Sequence, residues 1–152
     1  MIKKQPTNDY RGELERKGVI AFVPEGTSMW PTIKGGKSSV VIEKKKSRLS
    51  KFDVAFYNRQ DKNVLHRVIE VLQDGYLMCG DSLTTLEEVK EQDVFGVMIG
   101  FCRGKKYVSA NDLRYIEEVE KLYSNESKRA KKIARFRFRE KVKSKIKRIF
   151  KK

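Results

Sequence analysis

The sequence predicts a mainly β domain, a coiled β-sandwich or barrel, followed by an α-helical extension at the C-terminal end. Between Val19 and Val108, short apolar or alternating runs recur, separated by residues that favour turns. After Val108, apolar residues recur at helical spacing instead. The charge also changes, because residues 128–152 hold 14 of the 35 Lys and Arg residues and a single acid, Glu140. These observations divide the chain into a nearly neutral β domain and a basic extension.

Six strands are predicted within the β domain, residues 19–108. They are VIAFV at 19–23, SVVIE at 39–43, DVAFY at 53–57, VLHRVIEVL at 64–72, GYLMC at 75–79 and VFGVMIGF at 94–101. Turn sequences separate several of them, namely KGGK at 34–37, RQDKN at 59–63 and QDG at 73–75. Residues 1–18 are predicted to form an N-terminal arm.

The extension is predicted to contain two parts. Residues 109–123 form an amphipathic helix capped near Ser109, whose apolar residues are Leu113, Ile116, Val119 and Leu122. Residues 124–152 form a basic amphipathic tail after a break at SNES. On a helical wheel, one sector of the tail is apolar and contains Phe138, Val142, Ile146, Ile149 and Phe150. The other side is basic and contains Lys141, Lys143, Lys145, Lys147, Arg148 and Lys151.

A basic helix with a Phe/Ile face is typical of helices that lie in a membrane interface. Anionic headgroups attract such a helix, so we expect residues 128–152 to bind an anionic membrane surface. Nucleic acid is an alternative partner, because its phosphates attract the same charge. A solvated cationic tail is the third interpretation.

Several kinds of site have no support in the sequence. One histidine and two distant cysteines supply no recognisable metal site, and no phosphate-binding or dinucleotide motif is present, so no cofactor is expected. Cys79 and Cys102 lie in apolar strand contexts and are expected to be reduced thiols. No stretch approaches the ~20 apolar residues that span a bilayer, and the N-terminus has no apolar signal region. A cytoplasmic protein, peripheral on the membrane, is therefore expected.

The segment EGTSMWPTIKGG, Glu25–Gly36, is the most informative in the sequence. Gly26 permits an unusual backbone conformation, and Pro31 fixes the chain just after Ser28. A serine held rigidly in this way is suited to nucleophilic catalysis, with its own N–H as an oxyanion donor. The same residue types also describe an ordinary turn, and residue types alone leave both interpretations open.

The segment GTSMWPT, residues 26–32, resembles the nucleophile box of the superfamily that contains type I signal peptidases and LexA-type self-cleaving repressors. Further segments resemble the superfamily's later boxes in the same order: KFDVAFY at 51–57, LHRVI at 65–69, CGDS at 79–82 and FGV at 95–97. Phe52 and Ser82 depart from the family's Gly and Asn. The resemblance covers roughly residues 19–104 and implies a signal-peptidase-like β fold and a serine endopeptidase.

The resemblance implies that Ser28 is the nucleophile and His66 its general base. Bacterial signal peptidases and LexA-like proteins use Lys as the base, whereas endoplasmic-reticulum, archaeal and sporulation-type signal peptidases have His, as this chain does. A neutral imidazole, with its pKa near 6.5, can accept the serine proton. Two acids are candidates for orienting His66: Asp81, which matches the family's Gly-Asp aspartate, and Glu87, at a position where the family has Asp. From the residues alone, His66 is also consistent with a half-buried strand residue, and Asp81 with a turn.

The oxyanion hole and substrate groove are expected to involve Gly26, Ser28, Met29 and Pro31. The resemblance implies an extended peptide substrate with small side chains near the cut, added as a strand beside the site. We therefore expect a peptidase that removes a leader from a precursor. The alternative is a catalytically inactive peptide-binding or membrane-docking module with the same fold. A self-cleaving repressor would need a DNA-binding module, for which residues 1–18 are too few.

Overall fold

The computed structural model describes residues 9–124 and 126–151. Within them, one antiparallel sheet of eight strands is accompanied by three α-helices. The prediction of a mainly β domain with a helical C-terminal extension is confirmed.

The strands follow the chain order closely. They are β1 (Val19–Phe22), β2 (Val40–Lys44), β3 (Val54–Arg59), β4 (Lys62–Val71), β5 (Gly75–Cys79), β6 (Glu87–Lys90), β7 (Val94–Arg103) and β8 (Lys106–Ser109). The helices are α1 (Tyr10–Lys17), α2 (Leu113–Ser124) and α3 (Glu126–Phe150), and a 3-10 turn spans Glu91–Asp93. Across the sheet the order is β1, β2, β7, β3, β4, β5 and β6, and β8 also pairs with β7.

Both faces of the sheet are buried around β3. Val54 and Phe56 pack into one apolar cluster, whereas Ala55 and Tyr57 pack into a second. Because successive side chains of a strand point to opposite faces, these clusters lie on the two sides of the sheet. This explains why DVAFY is almost continuously apolar rather than alternating.

The six predicted strands are all present, but two further strands were not predicted. β6 and β8 are four residues long, and each buries a single apolar side chain, Val89 and Val108. Their sequences, EEVK and KYVS, contain too few apolar residues to form the apolar run or alternation from which a strand can be recognised.

The predicted N-terminal arm is wrong for residues 10–17, which form α1. Asp9 caps this helix by accepting a hydrogen bond from the backbone N–H of Gly12 at 2.9 Å. Leu14 is buried in the main core cluster. A helix of two turns that buries one leucine shows no repeating apolar stripe, so the sequence pattern did not reveal it.

The predicted start of α2 at Ser109 is also wrong, since Ser109 ends β8 and the helix begins at Leu113. Asp112 is its cap, accepting hydrogen bonds from the N–H groups of Arg114 and Tyr115 at 2.9 and 3.2 Å. The buried side chains are Tyr115 and Val119, whereas Leu113 is 76% exposed. The helix is therefore rotated from the predicted apolar stripe, so that Tyr115 can reach a buried arginine.

That arginine is Arg67 on β4, whose side chain is fully buried. It forms a two-pronged ion pair with Asp81, Nε to Oδ1 at 2.8 Å and Nη2 to Oδ2 at 2.7 Å. Nη1 donates to the carbonyl of Phe52 at 2.8 Å and to the hydroxyl of Tyr115 at 3.1 Å. The guanidinium thus links β4 to the turn before β3 and to α2.

Asp81, which follows β5, completes the same cluster. Its Oδ2 accepts a hydrogen bond from Thr32 Oγ1 at 2.6 Å, and its Oδ1 accepts one from the hydroxyl of Tyr123. Burial alone raises the pKa of Asp81, but Arg67 and these hydroxyls outweigh it and hold the pKa below its usual range. The carboxylate is therefore ionised and fully engaged in structure.

We expect Asp81→Asn to reduce the free energy of unfolding by about 3–5 kcal/mol, because the Arg67 charge would be left buried without a counter-charge. Urea denaturation of the purified protein measures this. The matched control is Glu118→Gln, which breaks the equally two-pronged but exposed pair with Arg103. It should cost less than about 1 kcal/mol. Equal losses in the two variants would contradict a dominant role for the buried pair.

Candidate functional site

Ser28 lies on a loop between β1 and β2 that folds back on itself. Gly36 N–H donates to the carbonyl of Pro24 at 2.8 Å, which brings the two ends of the loop together. Gly26 has φ of +88°, a left-handed conformation that favours glycine. A Cβ on Gly35 would lie 1.8 Å from the Gly26 carbonyl oxygen, so only glycine permits this close approach. The conformation of residues 26–28 therefore depends on the glycines of residues 34–36, which pack against it.

The turn after β5 holds the Ser28 loop from the other side. Ser82 N–H donates to the carbonyl of Ser28 at 3.0 Å, and Ser82 Oγ donates to the carbonyl of Thr27 at 2.7 Å. A Cβ on Gly80 would lie 2.6 Å from the Ser28 carbonyl oxygen. Within the described part of the chain, the N–H and Oγ of Ser28 have no hydrogen-bond partner. The loop is thus fixed through its carbonyls, which leaves this N–H and hydroxyl for another molecule.

Ser28 and His66, 38 residues apart, line the same cavity of about 920 Å³. Gly26 and Met29 line it as well, and Met29 also belongs to the buried core. No hydrogen bond joins the Ser28 and His66 side chains among the described residues, and such bonds are often long before a substrate binds. The predicted place of Pro31 in the groove is wrong, because Pro31 is exposed and outside the cavity lining.

His66 is a buried residue of β4 and pairs directly with Ala55 of β3. Its Nδ1 lies 3.1 Å from the hydroxyl of Tyr57, and this hydroxyl donates to Oε1 of Glu87. The direct separation of His66 Nδ1 from Glu87 Oε1 is 3.7 Å. Arg59 in turn holds Glu87, with Nη1 at 3.0 Å from both carboxylate oxygens.

Tyr57 and Arg59 were not predicted from the sequence as residues of the site. The hairpin between β3 and β4 turns at Gln60 and Asp61, both with positive φ, so that Arg59 pairs with Lys62. This register places Ala55, Tyr57 and Arg59 on the same face as His66. A two-residue turn placed within RQDKN would have revealed these neighbours.

The two candidate acids have separate positions. Glu87 begins β6 and lies beside His66, whereas Asp81 is enclosed by Arg67, Thr32 and Tyr123 and is outside the cavity lining. The sequence left open whether Asp81 or Glu87 lies beside His66. The positions of the two side chains favour Glu87 as the acid near His66 Nδ1.

Burial lowers the pKa of His66, and the negative charge of Glu87 only partly opposes this effect. The positive charge of Arg59 lowers the pKa further, while Asp81 raises it. His66 is therefore a neutral imidazole at pH 7. Burial also raises the pKa of Tyr57, and so does its hydrogen bond to Glu87, so its hydroxyl keeps its proton.

The sequence matches no family model and no curated protein. What the cavity can do chemically follows from its own side chains: a serine hydroxyl, a neutral imidazole and a carboxylate behind it. Among the described residues, no group of three or more His, Cys, Asp or Glu side chains could hold a metal ion. Cys79 is buried and its Sγ donates to the carbonyls of Gly80 and Leu83 at 3.3 and 3.4 Å, whereas Cys102 is partly buried.

We expect His66 to titrate with a midpoint below 6.5, its ordinary pKa. Glu87→Gln should lower that midpoint further, because the negative charge of Glu87, which raises the pKa of His66, would be lost. His66 is the only histidine in the chain, so NMR of the tag-free protein follows a single imidazole. The matched control is Glu88→Gln, which changes the exposed neighbour on β6 and should leave the midpoint unchanged. A midpoint that rises in Glu87→Gln would contradict the arrangement described above.

Proposed function

We propose that this protein is a serine endopeptidase with a signal-peptidase-like β fold, in which Ser28 is the nucleophile and His66 the general base. The observation that carries the proposal is that Ser28, on a tightly held loop, and a neutral His66 line the same cavity. The resemblance of the boxes at residues 26–32 and 65–69 to signal peptidases supports it independently of the geometry.

In this reaction His66 Nε2 removes the proton from Ser28 Oγ as the oxygen attacks the scissile carbonyl. The Ser28 N–H stabilises the negative charge that forms on the carbonyl oxygen. His66 then gives its proton to the leaving amine, and an acyl-enzyme remains. Water, deprotonated by the same imidazole, hydrolyses the ester and regenerates Ser28.

The substrate proposed for this site is an extended segment of a precursor or leader peptide. β1 is an edge strand of the sheet, and the residues after it, Val23, Pro24 and Glu25, line the cavity next to Ser28. An extended peptide can bind along such an edge as an added strand, using main-chain hydrogen bonds. Small side chains near the cut are expected from the resemblance to signal peptidases.

We expect the wild-type protein to cleave members of a peptide library and Ser28→Ala to lose at least about 1,000-fold in kcat/KM. Mass spectrometry of the products measures both the rate and the cleavage position. Thr27→Ala is the matched control, since it removes the neighbouring, exposed hydroxyl and should keep most of the activity. Equal cleavage by wild type and Ser28→Ala would overturn the proposal. Binding of peptides without any cleavage would favour a catalytically inactive module.

We also propose that α3 attaches the protein to the surface of an anionic bilayer. Its apolar side chains at one side are exposed, Phe138 and Ile149 to 68% and Phe150 to 82%. Residues 138–151 contain seven Lys or Arg and one acid. No helix in the described residues is long and apolar enough to cross a membrane, so the helix is proposed to lie in the interface.

An anionic bilayer fits this helix better than nucleic acid does. Phosphates of either partner can neutralise the Lys and Arg side chains. Bases can stack on aromatic rings, but a bilayer interface removes the whole stripe of exposed Phe and Ile side chains from water, which is favourable by ~25 cal/mol per Å² of apolar surface. The apolar stripe therefore decides between two partners that the charge alone cannot separate.

We expect the protein to float with vesicles that contain anionic lipid but not with purely zwitterionic vesicles. Ile149→Ser combined with Phe150→Ser should reduce the bound fraction several-fold, because these side chains supply the apolar contact. Leu113→Ser is the matched control, as it removes a comparably exposed apolar side chain from α2. The membrane proposal would be overturned if vesicle binding did not depend on lipid charge. It would also be overturned if the protein bound nucleic acid tightly and the double substitution did not change that binding.

A further inference from the structure

We propose that Tyr57 is a positioning residue that links His66 to Glu87 and fixes which imidazole nitrogen is available to Ser28. This inference rests on the proposed peptidase function and assigns a third residue to its machinery. Tyr57 acts through His66, because its own side chain is fully buried and outside the cavity lining.

The distances place the Tyr57 hydroxyl between the two other groups. His66 Nδ1 is 3.1 Å from this hydroxyl but 3.7 Å from Oε1 of Glu87, which is beyond hydrogen-bond length. Glu87 is therefore connected to the imidazole through the tyrosine rather than directly. Arg59 Nη1 also contacts both oxygens of this carboxylate at 3.0 Å, so Glu87 has a defined orientation.

The number of available protons decides which group donates and which accepts in this series of hydrogen bonds from His66 through Tyr57 to Glu87. An ionised carboxylate only accepts hydrogen bonds, so the single hydroxyl proton of Tyr57 is donated to Glu87. The hydroxyl oxygen can then only accept from His66, which requires the proton of the neutral imidazole to be on Nδ1. The lone pair is consequently on Nε2, the nitrogen that the proposed reaction uses as a base.

This series of hydrogen bonds orients the imidazole of His66 and does not transfer protons from one group to the next. When Nε2 takes the proton from Ser28, Nδ1 keeps its own proton and the imidazole becomes positively charged. Tyr57 keeps its hydroxyl proton throughout, and burial, by raising the pKa of Tyr57, favours this state. The Tyr57 dipole and the Glu87 charge then stabilise the imidazolium until its proton passes to the leaving amine.

The test uses the fact that the chain has a single histidine. Nitrogen-15 NMR of the tag-free protein, at a pH well above the imidazole pKa, reports which ring nitrogen carries the proton. We expect Nδ1–H in the wild-type protein and loss of that preference in Tyr57→Phe. Tyr76→Phe is the matched control, because Tyr76 is equally buried and its hydroxyl donates to Glu91 at 2.8 Å. Tyr76 pairs with Val71, which is five residues along β4 from His66.

Activity gives the second measurement. Tyr57→Phe should lower kcat by roughly 10–100-fold with KM unchanged, because it disturbs the base and not the groove. The effects of Tyr57→Phe and Glu87→Gln should also be less than additive, since both break the same chain. Tyr76→Phe should leave both kcat and the tautomer unchanged.

The outcomes separate this inference from the peptidase proposal. An Nε2–H tautomer in the wild-type protein overturns the role of Tyr57 even when cleavage depends on Ser28, and it needs no variant to fold. A kcat for Tyr57→Phe equal to that of wild type overturns it as well. Nδ1–H in wild type and its loss in Tyr57→Phe, with cleavage independent of Ser28, overturns only the peptidase proposal.

Discussion

The buried ion pair between Arg67 and Asp81 is the interaction on which the site depends. Two charges removed from water are tolerable only when nearly all of their hydrogen-bonding capacity is met, and here the partners come from the Ser28 loop, the turn before β3 and α2. Asp81 is flanked by Gly80 and Ser82, which contact the carbonyl of Ser28. The ion pair therefore fixes the position of the serine, and α2 belongs structurally to the β domain.

The alternation of side chains along β4 places His66 and the buried ion pair of Arg67 on opposite faces of the sheet. His66 and Arg67 are neighbours in the chain, so their side chains point to opposite faces of the sheet. One faces Tyr57 and the cavity, and the other faces Asp81 and α2. The two acids follow the same division, because Asp81 compensates a permanent buried charge while Glu87 lies by an imidazole that is neutral at pH 7.

The distribution of charge supports a further separation of roles. Residues 128–152 contain 14 basic residues and one acid, whereas residues 1–127 contain 21 basic and 19 acidic residues. The charges that act on the pKa of His66 are those of Glu87, Arg59 and Asp81, all within residues 19–108. The strong positive charge of residues 128–152 belongs to a different part of the sequence.

The sequence by itself determined the features that depend on neighbouring residues in the chain. Apolar runs predicted six of the eight strands, and wheel positions predicted the exposed stripe of α3, because each of these patterns lies within a single element. The ordered boxes placed Ser28 and His66 among the candidates. Only the tertiary structure decided that Glu87 lies beside His66, that Tyr57 stands between them and that α1 buries Leu14. These facts depend on strand register and on which distant surfaces pack together, and a local pattern carries no information about either.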